Sequence, residues 1–424
     1  MLFGLPAYLA LVALETAIVV LAIHGGITAS RNLPRSIAFA AFPTAFVAGE
    51  YFRAQLPALG FTWGGLGYAL HDDLGALRLA AFTGVWGLSL AVALCNALLA
   101  EGIARVRQSK AKSAMLWVGA ALSVALPRIL PPGLADGPEA TIAMVQGNLP
   151  DNPGDPGSDD LTVLTNHVEL TARLKPGSAD LVVWPESALD EDPADRQDFQ
   201  LLIDEAIARA RAPLLLGTAI DVEKERFRNV SLFYDEAGHR VGEYSKIHLV
   251  PFGEYVPLRR ILAPLIPQLE QVPRDGIPGS SFTLFEIGAG KFASVICFES
   301  TFPSLVRRFV DEGARLLVVS TNNSSFRRTS ASEQHVAFSQ LRAAEHRMWV
   351  VHAALTGISA VITPEGAVVD RTELFEPALL SPKVRFARET TLFARLGDWV
   401  PALLFIALLL AWVLPLLRLF TLRR

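Results

Sequence analysis

The chain has 424 residues, of which 51% are hydrophobic and 19% charged, and its mean hydropathy is +0.35. This composition is too apolar and too poor in charge for an ordinary soluble protein. The formal net charge of −4 and the sequence pI of about 6.1 lack the basic excess typical of nucleic-acid binding, so no nucleic acid is expected as a partner.

The apolar residues lie mainly in a predicted N-terminal membrane region at 1–135 and near the C-terminus. A run of about 20 apolar residues can cross a bilayer as a helix. The stretch at 60–68 is rich in glycine and aromatic residues, which suits an interfacial or re-entrant segment better than a span. The sequence therefore predicts four spans at 5–23, 36–48, 79–99 and 114–130, and a C-terminal transmembrane helix within 398–418.

Basic residues next to membrane spans indicate the cytoplasmic side. They cluster at 31–35, at 105–112 and in the C-terminal tail. All three clusters give the same orientation, which places the segment between the fourth and fifth spans outside the cytoplasm. The sequence thus predicts a multi-pass protein of the bacterial cytoplasmic (inner) membrane with a periplasmic domain at 140–390.

This middle segment alternates strand and helix patterns, which predicts an α/β layered domain. The proline- and glycine-rich stretch at 150–157 is interpreted as a flexible loop. The predicted strands lie at 140–146, 180–184, 213–219, 230–235, 239–244, 281–286, 292–297, 315–320, 350–354, 359–363 and 367–371, and the predicted helices at 159–174, 195–211, 302–312 and 332–347.

Three reactive side chains lie at or just beyond the ends of predicted strands: Glu186, Lys246 and Cys297. Active sites of α/β folds lie at the carboxyl ends of the strands. A thiol with an ordinary pKa of about 8.5 needs a base beside it, and a carboxylate can take its proton. A fixed cation can stabilise the oxyanion that forms when the thiolate attacks a carbonyl. Taken singly, Cys297 could be a core thiol, Glu186 a helix-start carboxylate and Lys246 a solvated lysine; together they predict acyl transfer through a thioester.

The surroundings of these three residues resemble the catalytic motifs of the nitrilase, or carbon–nitrogen hydrolase, superfamily, and most of all its apolipoprotein N-acyltransferase branch. The resemblance covers roughly residues 45–415. The three motifs are Trp-Pro-Glu-Ser (184–187), Lys-Ile-His-Leu-Val-Pro-Phe-Gly-Glu-Tyr-Val-Pro (246–257) and Ile-Cys-Phe-Glu (296–299). Further similar segments are Val-Gln-Gly-Asn (145–148), Gln-His (334–335), Arg-Ala-Ala-Glu (342–345), Thr-Gly-Ile-Ser-Ala (356–360) and Ala-Arg-Leu-Gly-Asp-Trp (394–399), with Glu-Tyr-Phe-Arg (50–53), Leu-Gly-Tyr (66–68) and Thr-Gly-Val-Trp-Gly-Leu-Ser (83–89) in the membrane region.

The resemblance implies a nitrilase-like α-β-β-α sandwich domain inserted between transmembrane helices. It implies that Glu186 is the general base, Lys246 the oxyanion stabiliser and Cys297 the nucleophile, with Glu254 and Glu299 as supporting residues. The implied reaction takes an acyl chain from a bilayer phospholipid and transfers it to the N-terminal amine of a lipid-modified lipoprotein. The chain is expected to act as a monomer without a cofactor or metal, since its histidines lack metal-ligand spacing.

Several departures from the family pattern fall on candidate substrate loops. Phe298 follows the nucleophile where the family usually has tyrosine, and the loop at 322–326 lacks the usual Asp and Trp-Phe pair. The Lys-Trp pair that commonly follows Gln-Gly-Asn is absent from 152–157, and the chain would begin partway into the family's membrane bundle. Asn148, Asn323 and Phe298 are the candidate substrate-binding residues, although turn formation explains the two asparagines equally well.

Two other functions remain open on the sequence. A membrane-tethered amidase or nitrilase would use the same three side chains with water as the acceptor. A non-catalytic membrane partner of another acyltransferase would not need them, and the intact Glu186, Lys246 and Cys297 set argues against it.

Overall fold

The computed structural model describes residues 4–56, 60–149, 160–223, 226–264, 266, 269–270 and 272–421, so the predicted loop at 150–157 lies outside the described residues. The chain divides into two compact units. We call them the helical unit (Met1–Pro132 with Leu396–Arg424) and the α/β unit (Gly133–Arg395).

The elements follow the predicted order. The α-helices are α1 Gly4–Asn32, α2 Ala41–Ala54, α3 Leu74–Leu77, α4 Ala80–Arg105, α5 Lys110–Ala125, α6 Asp160–Thr171, α7 Gln197–Ala210, α8 Arg259–Leu262, α9 Pro303–Asp311, α10 Ala331–His346, α11 Leu392–Leu396 and α12 Trp399–Thr421. The strands are β1 Glu139–Gln146, β2 Leu181–Trp184, β3 Leu214–Glu223, β4 Arg226–Tyr234, β5 Arg240–Ser245, β6 Asp275–Gly276, β7 Leu284–Ile287, β8 Gly290–Ile296, β9 Leu317–Thr321, β10 Val350–Ala354, β11 Ala360–Ile362, β12 Val368–Arg371, β13 Ala378–Leu380 and β14 Lys383–Arg385.

Among the residues that the structure describes, the helical unit contains two helical segments that are long and apolar enough to cross a membrane, Leu11–Asn32 and Ala80–Arg105. The apolar segment Trp399–Val413 of α12 is shorter within the described residues. The predicted re-entrant stretch at 60–68 contains no long helix; residues 66–70 form a short 3₁₀ turn. Gly67 lies so close to α4 that a Cβ there would come within 2.6 Å of the Val85 carbonyl oxygen.

The start of α12 is fixed to α2 and α4 by polar side chains. Asp398 accepts hydrogen bonds from Trp86 Nε1 at 3.0 Å and from the Tyr51 hydroxyl at 3.4 Å. The rings of Tyr51 and Trp86 meet edge to face, with centroids 5.3 Å apart. Trp399 Nε1 donates to the Phe82 carbonyl at 2.8 Å. These contacts set the position of the C-terminal helix within the helical unit.

The α/β unit contains two sheets. The first has the order β13-β1-β2-β3-β4-β5, with β14 also on β1 and β6 on β4, and the second has the order β12-β11-β10-β9-β8-β7. Strands β1, β2 and β3 are parallel, as are β8, β9 and β10. The carboxyl ends of the parallel strands within each sheet therefore lie at one edge of that sheet, where β2 leads to Glu186 and β8 to Cys297.

The side chains of β1 alternate between two apolar clusters of the core. Ile142 and Met144 of β1 pack in an apolar cluster that also contains Val295 of β8 in the second sheet. The intervening Ala143 and Val145 pack in a second cluster with side chains of α6 and α7. Because successive side chains point to opposite faces of a strand, β1 contributes to both clusters.

The sequence missed several short elements, although the three-residue strand β11 was predicted within 359–363. Strands β13 and β14 have three residues each and pair antiparallel with β1. Helix α11 has five residues and strand β6 two. Segments this short span at most about one and a half periods of a strand or helix pattern, so their sequence carries little signal. The strand predicted at 292–297 ends at Ile296, and Cys297 begins a 3₁₀ turn.

Candidate active site

The three candidate catalytic residues each follow a strand. Glu186 lies two residues beyond β2, Lys246 directly follows β5, and Cys297 directly follows β8. Cys297 adopts a left-handed backbone conformation with φ of 53°. This conformation is unfavourable for a residue with a Cβ, and such strain is concentrated at functional sites.

Lys246 lies between two carboxylates. Its Nζ is 3.2 Å from Glu186 Oε1 and 2.9 Å from Glu254 Oε1. Only 1% of Lys246 and 6% of Glu186 is exposed, so the three charges interact with little screening by water. The structure thus brings together the predicted base, the predicted oxyanion stabiliser and one of the two predicted supporting residues.

Asn229 completes this cluster, and the sequence analysis did not identify it. Its Nδ2 donates to Glu186 Oε1 and to Glu254 Oε1, at 2.8 Å in each case. The other oxygen of each carboxylate is also held, since Glu186 Oε2 accepts from the Asn322 amide at 2.9 Å and Glu254 Oε2 from the Val250 amide at 2.8 Å. The available signal was an amide side chain directly before the buried residues 230–234 of β4.

The electrostatics keep the thiol neutral and the amine charged. Burial and the nearby Glu186 raise the pKa of Cys297 to about 12, although Lys246 and the Thr321 hydroxyl act in the opposite direction. Burial alone would lower the pKa of Lys246, but Glu186 and Glu254 raise it well above its ordinary value. Cys297 therefore rests as a thiol, and its proton must leave when a substrate is attacked.

Glu299 connects the cysteine turn to the lysine segment. Its Oε1 accepts from the Tyr244 hydroxyl at 2.8 Å and from the amides of Ile247 and His248 at 2.7 and 3.0 Å. Its Oε2 accepts from the Ile296 amide at 2.8 Å. The carboxyl group is fully buried, which raises the pKa of Glu299 to about 7. One carboxylate thus holds the backbone on both sides of the candidate site.

The carbonyl of Cys297 is held by a second network. The Ser300 hydroxyl donates to it at 3.0 Å, and His335 Nε2 lies 3.1 Å from it. His335 Nδ1 is 2.9 Å from Asn323 Oδ1, and the Thr321 hydroxyl donates to Asn323 Oδ1 at 2.9 Å. Burial lowers the pKa of His335 to about 4, so the imidazole is neutral at neutral pH and has a single N–H, which donates either from Nε2 to the Cys297 carbonyl or from Nδ1 to Asn323 Oδ1. Asn323, a candidate substrate-binding residue, therefore supports the nucleophile's turn.

The other two candidate substrate-binding residues contact neighbouring residues of the α/β unit. Asn148 Nδ2 donates to the Phe375 carbonyl at 3.1 Å, and the Asn148 amide donates to the Leu355 carbonyl at 3.0 Å. The Phe298 ring packs edge to face on Phe302, with centroids 5.1 Å apart. Their predicted contact with substrate stays a prediction.

The chain matches known families in both of its units. Residues 141–391 match the carbon–nitrogen hydrolase family, and residues 1–98 match the N-terminal domain of apolipoprotein N-acyltransferase. The apolipoprotein N-acyltransferase of Geobacter metallireducens is 34% identical over 370 residues, which cover 84% of this chain and 70% of that protein. The chain belongs to the apolipoprotein N-acyltransferase family.

Other members of the apolipoprotein N-acyltransferase family match over different lengths. The Rhodopseudomonas palustris protein is 30% identical over 97% of this chain and 78% of its own length. The Synechocystis protein is 31% identical over 66% of this chain and 54% of its own length, so the chain spans only about half of that relative. Among solved structures, an amidase from Nesterenkonia sp. AN1 is similar with a TM-score of 0.45 and 18% identity, over 61% of this chain and 97% of that chain.

The family match confirms the resemblance predicted from the three motifs, and with it the nitrilase-like α/β class. The individual roles of Glu186, Lys246 and Cys297 stay predictions that the geometry supports.

Proposed function

We propose that this protein transfers a fatty acyl chain from a membrane phospholipid, through a thioester on Cys297, to the N-terminal amine of a lipid-modified lipoprotein. The observation that carries the chemistry is the buried Lys246, held by Glu186 and Glu254, with its charge acting on the thiol of Cys297. The membership of the apolipoprotein N-acyltransferase family supports the choice of donor and acceptor.

The first half-reaction forms the acyl-enzyme. The Cys297 sulfur attacks the ester carbonyl of the phospholipid while Glu186 accepts the thiol proton. Lys246 stabilises the resulting oxyanion from a dry, preorganised position. Collapse breaks the ester C–O bond, and the proton on Glu186 passes to the departing alkoxide, which leaves as a lysophospholipid.

The second half-reaction uses the same three side chains to transfer the acyl chain from Cys297 to the amine. The free amine attacks the thioester carbonyl and loses a proton to Glu186, and Lys246 again stabilises the oxyanion. Collapse breaks the C–S bond, and the Cys297 thiolate recovers the proton from Glu186. Burial raises the pKa of Cys297, so proton return accompanies the departure of the thiolate.

The same proposal includes the architecture. The α/β domain at 140–390 forms an α-β-β-α sandwich, and an apolar cluster that contains side chains of both sheets supports this. The membrane region at 1–135 and the C-terminal helix at 398–418 anchor it in the bacterial inner membrane, with the basic clusters at 31–35 and 105–112 on the cytoplasmic side. The active site then faces the periplasm, and the chain acts as a monomer.

The test is intact-protein mass spectrometry after incubation with phospholipid vesicles and no acceptor. A fatty-acyl mass increment that hydroxylamine removes is expected on the parent chain. It should persist in Cys95→Ala, which removes the other cysteine, and vanish in Cys297→Ala. A folded, alkylation-reactive chain that gains no increment would overturn the proposal.

The names of the relatives do not favour the amidase alternative. Under that alternative, the chain would release ammonia from small amides whether or not phospholipid is present. The vesicle experiment therefore separates the two functions with one protein sample.

A further inference from the structure

Strand β9 brings a hydroxyl group beside the candidate nucleophile. Strands β8 and β9 are parallel, and Ile296 pairs with Ser320, so the next residues along the chain, Cys297 and Thr321, are neighbours. The Thr321 side chain is fully buried, and its hydroxyl is hydrogen-bonded to the Cys297 thiol. Thr321 is therefore placed to act directly on the reacting sulfur.

The same hydroxyl has a second partner. It donates to Asn323 Oδ1 at 2.9 Å. A hydroxyl has one hydrogen to donate and two lone pairs that accept, so while it donates to Asn323 it can only accept from the thiol of Cys297. A thiolate has no hydrogen to donate. Once the sulfur loses its proton, the hydroxyl of Thr321 can bond to it only by turning its own hydrogen away from Asn323.

The surroundings of Thr321 allow this change without movement of the backbone. Thr321 pairs with Ala354 of the neighbouring strand β10, and its carbonyl accepts from the Leu355 amide at 2.9 Å. Because the side chain is fully buried, bulk water does not compete for the hydroxyl. Only the hydroxyl hydrogen has to turn.

The charged groups near the sulfur do not supply a dedicated donor for the thiolate. Burial, Glu186 and Glu254 raise the pKa of Cys297, and Lys246 lowers it. Lys246 Nζ, however, is already bonded to both carboxylates. His335, beside the Cys297 carbonyl, is neutral at neutral pH because burial lowers its pKa to about 4. A neutral hydroxyl can stabilise the thiolate without adding a charge to this cluster.

We propose that Thr321 is a further catalytic residue, whose hydroxyl donates to Asn323 while Cys297 is a thiol or a thioester and donates to the sulfur when it becomes a thiolate. The proton of Thr321 stays on its own oxygen throughout. As the S–C bond forms and the ester C–O bond breaks, the thiol proton passes to Glu186. When the C–S bond later breaks, the thiolate recovers a proton from Glu186. The hydrogen bond from Thr321 is strongest where the sulfur carries charge, so it stabilises the transition states more than the resting thiol.

His335 can compensate Asn323 when the hydroxyl turns away. His335 Nδ1 lies 2.9 Å from Asn323 Oδ1, and the neutral imidazole donates to this oxygen when its single proton is on Nδ1. The buried acceptor of Asn323 thus keeps a donor in both orientations of the Thr321 hydroxyl, which lowers the cost of the change.

This role of Thr321 rests on the proposed function, because it names the donor that stabilises the thiolate in the same reaction. Its first test needs neither phospholipid nor lipoprotein. Alkylation of Cys297 by iodoacetamide also proceeds through the thiolate, so it reports the donor whether or not the chain transfers acyl groups.

The experiment measures the rate of alkylation by intact-protein mass spectrometry at a fixed pH near neutrality, in a Cys95→Ala background that leaves Cys297 as the only thiol. Thr321→Val removes the hydroxyl and keeps the shape of the side chain. Loss of one hydrogen bond to a charged group lowers the thiolate fraction about tenfold, and the more basic thiolate is about threefold more nucleophilic. Alkylation should therefore slow about threefold. Thr321→Ser keeps the hydroxyl and should react at the parental rate.

Ser320→Ala is the matched control. Ser320 precedes Thr321 in the same strand and is equally buried, but among the described residues its hydroxyl has no hydrogen-bond partner. This variant should be alkylated like the parent. Thr321→Ala also lacks the hydroxyl and should react slowly, which decides the question if Thr321→Val does not fold.

A merely structural role of Thr321 predicts the opposite sign, because a loosened site admits iodoacetamide more readily. Alkylation of the folded hydroxyl-free variant at or above the parental rate would therefore overturn the inference. So would a Thr321→Ser variant that reacts as slowly as Thr321→Val.

A second measurement follows the acyl-enzyme formed with phospholipid vesicles after addition of a peptide with a lipid-modified N-terminal cysteine. The departing thiolate loses its donor in Thr321→Val, so loss of acyl-Cys297 should slow about tenfold. Acyl-Cys297 on the parent, combined with parental alkylation and parental acyl loss in Thr321→Val, would overturn the role of Thr321 alone. Slow alkylation of Thr321→Val by a chain whose parent never forms acyl-Cys297 would overturn the proposed reaction and support the hydrogen bond to the thiolate.

Discussion

The substitution Glu299→Gln should change the rate of acylation much more than the stability of the protein. The Glu299 carboxylate accepts four hydrogen bonds, three on Oε1 and one on Oε2. Glutamine offers one oxygen and one NH₂ group, so one of the four donors must face another donor. With the NH₂ group at the Oε2 position, the Ile296 amide, directly before Cys297, loses its acceptor.

The effect on stability is the difference between two terms. An unsatisfied buried donor costs about 1–3 kcal/mol. Against this, burial raises the pKa of Glu299 to about 7 from 4.5. At 1.36 kcal/mol per pKa unit, the uncharged amide avoids an ionisation cost of about 3 kcal/mol at pH 7. The two terms nearly cancel, so Glu299→Gln should shift the free energy of unfolding by no more than about 2 kcal/mol at pH 7.

The effect on catalysis should be much larger. Glu299 fixes the segment that carries Lys246 and the turn that carries Cys297, and a shift of about 1 Å in a reacting group costs about 100-fold in rate. We therefore expect acyl-Cys297 to form about 100-fold more slowly in Glu299→Gln. The assay is single-turnover mass spectrometry with phospholipid vesicles, accompanied by thermal unfolding.

Glu286→Gln is the control, because Glu286 is an exposed residue of β7. It should change neither the rate nor the melting temperature. If Glu299→Gln formed acyl-Cys297 within threefold of the parent rate, the coupling role that we assign to Glu299 would be wrong.

Three further predictions concern the same site. Asn229→Ala removes a hydrogen bond from each of Glu186 and Glu254, so acylation in single-turnover assays should slow by at least tenfold; a parental rate would contradict this. His335→Ala removes the imidazole 3.1 Å from the Cys297 carbonyl and should slow acylation about tenfold in the same single-turnover assay; a parental rate would refute the role of His335. Since burial raises the pKa of Cys297 to about 12, its rate of alkylation by iodoacetamide should climb about tenfold per pH unit between about pH 6 and 9. A plateau below about pH 8 would instead indicate a preformed thiolate.

The sequence predicted the long elements of the α/β unit because each contains at least two full periods of its pattern. Strand β1 alternates across two clusters, and its predicted start differs from the observed one by a single residue. Strands β13 and β14 were missed because three residues at a sheet edge contain too little pattern. Their pairing with β1 depends on contacts more than 230 residues apart in the chain, which no local window contains.

The candidate site was predictable where a reactive side chain follows a recognisable strand, as for Glu186 and Cys297. Asn229 and His335 were not assigned, because an amide or an imidazole in a buried segment gains its role only from its neighbours in space. Asn229 lies 43 positions from Glu186, and His335 lies 38 positions from Cys297. Sequence reasoning found the charges of the site, whereas the neutral groups that orient them required the structure.

Left-handed backbone turns explain why those neutral groups are needed. Asn148, Ser187, Cys297 and Asn323 follow four different strands and have φ of 66°, 56°, 53° and 61°. Each such conformation costs a residue with a Cβ about 1 kcal/mol or more, and only the asparagines reduce the cost by their own chemistry. The turn at Cys297 therefore depends on partners: Glu299 on the preceding amide, and Ser300 with His335 on its carbonyl. A strained turn directly after a strand directs its side chain beyond the strand end, as a nucleophile requires. The hydrogen bonds around the turn hold the side chain in that position.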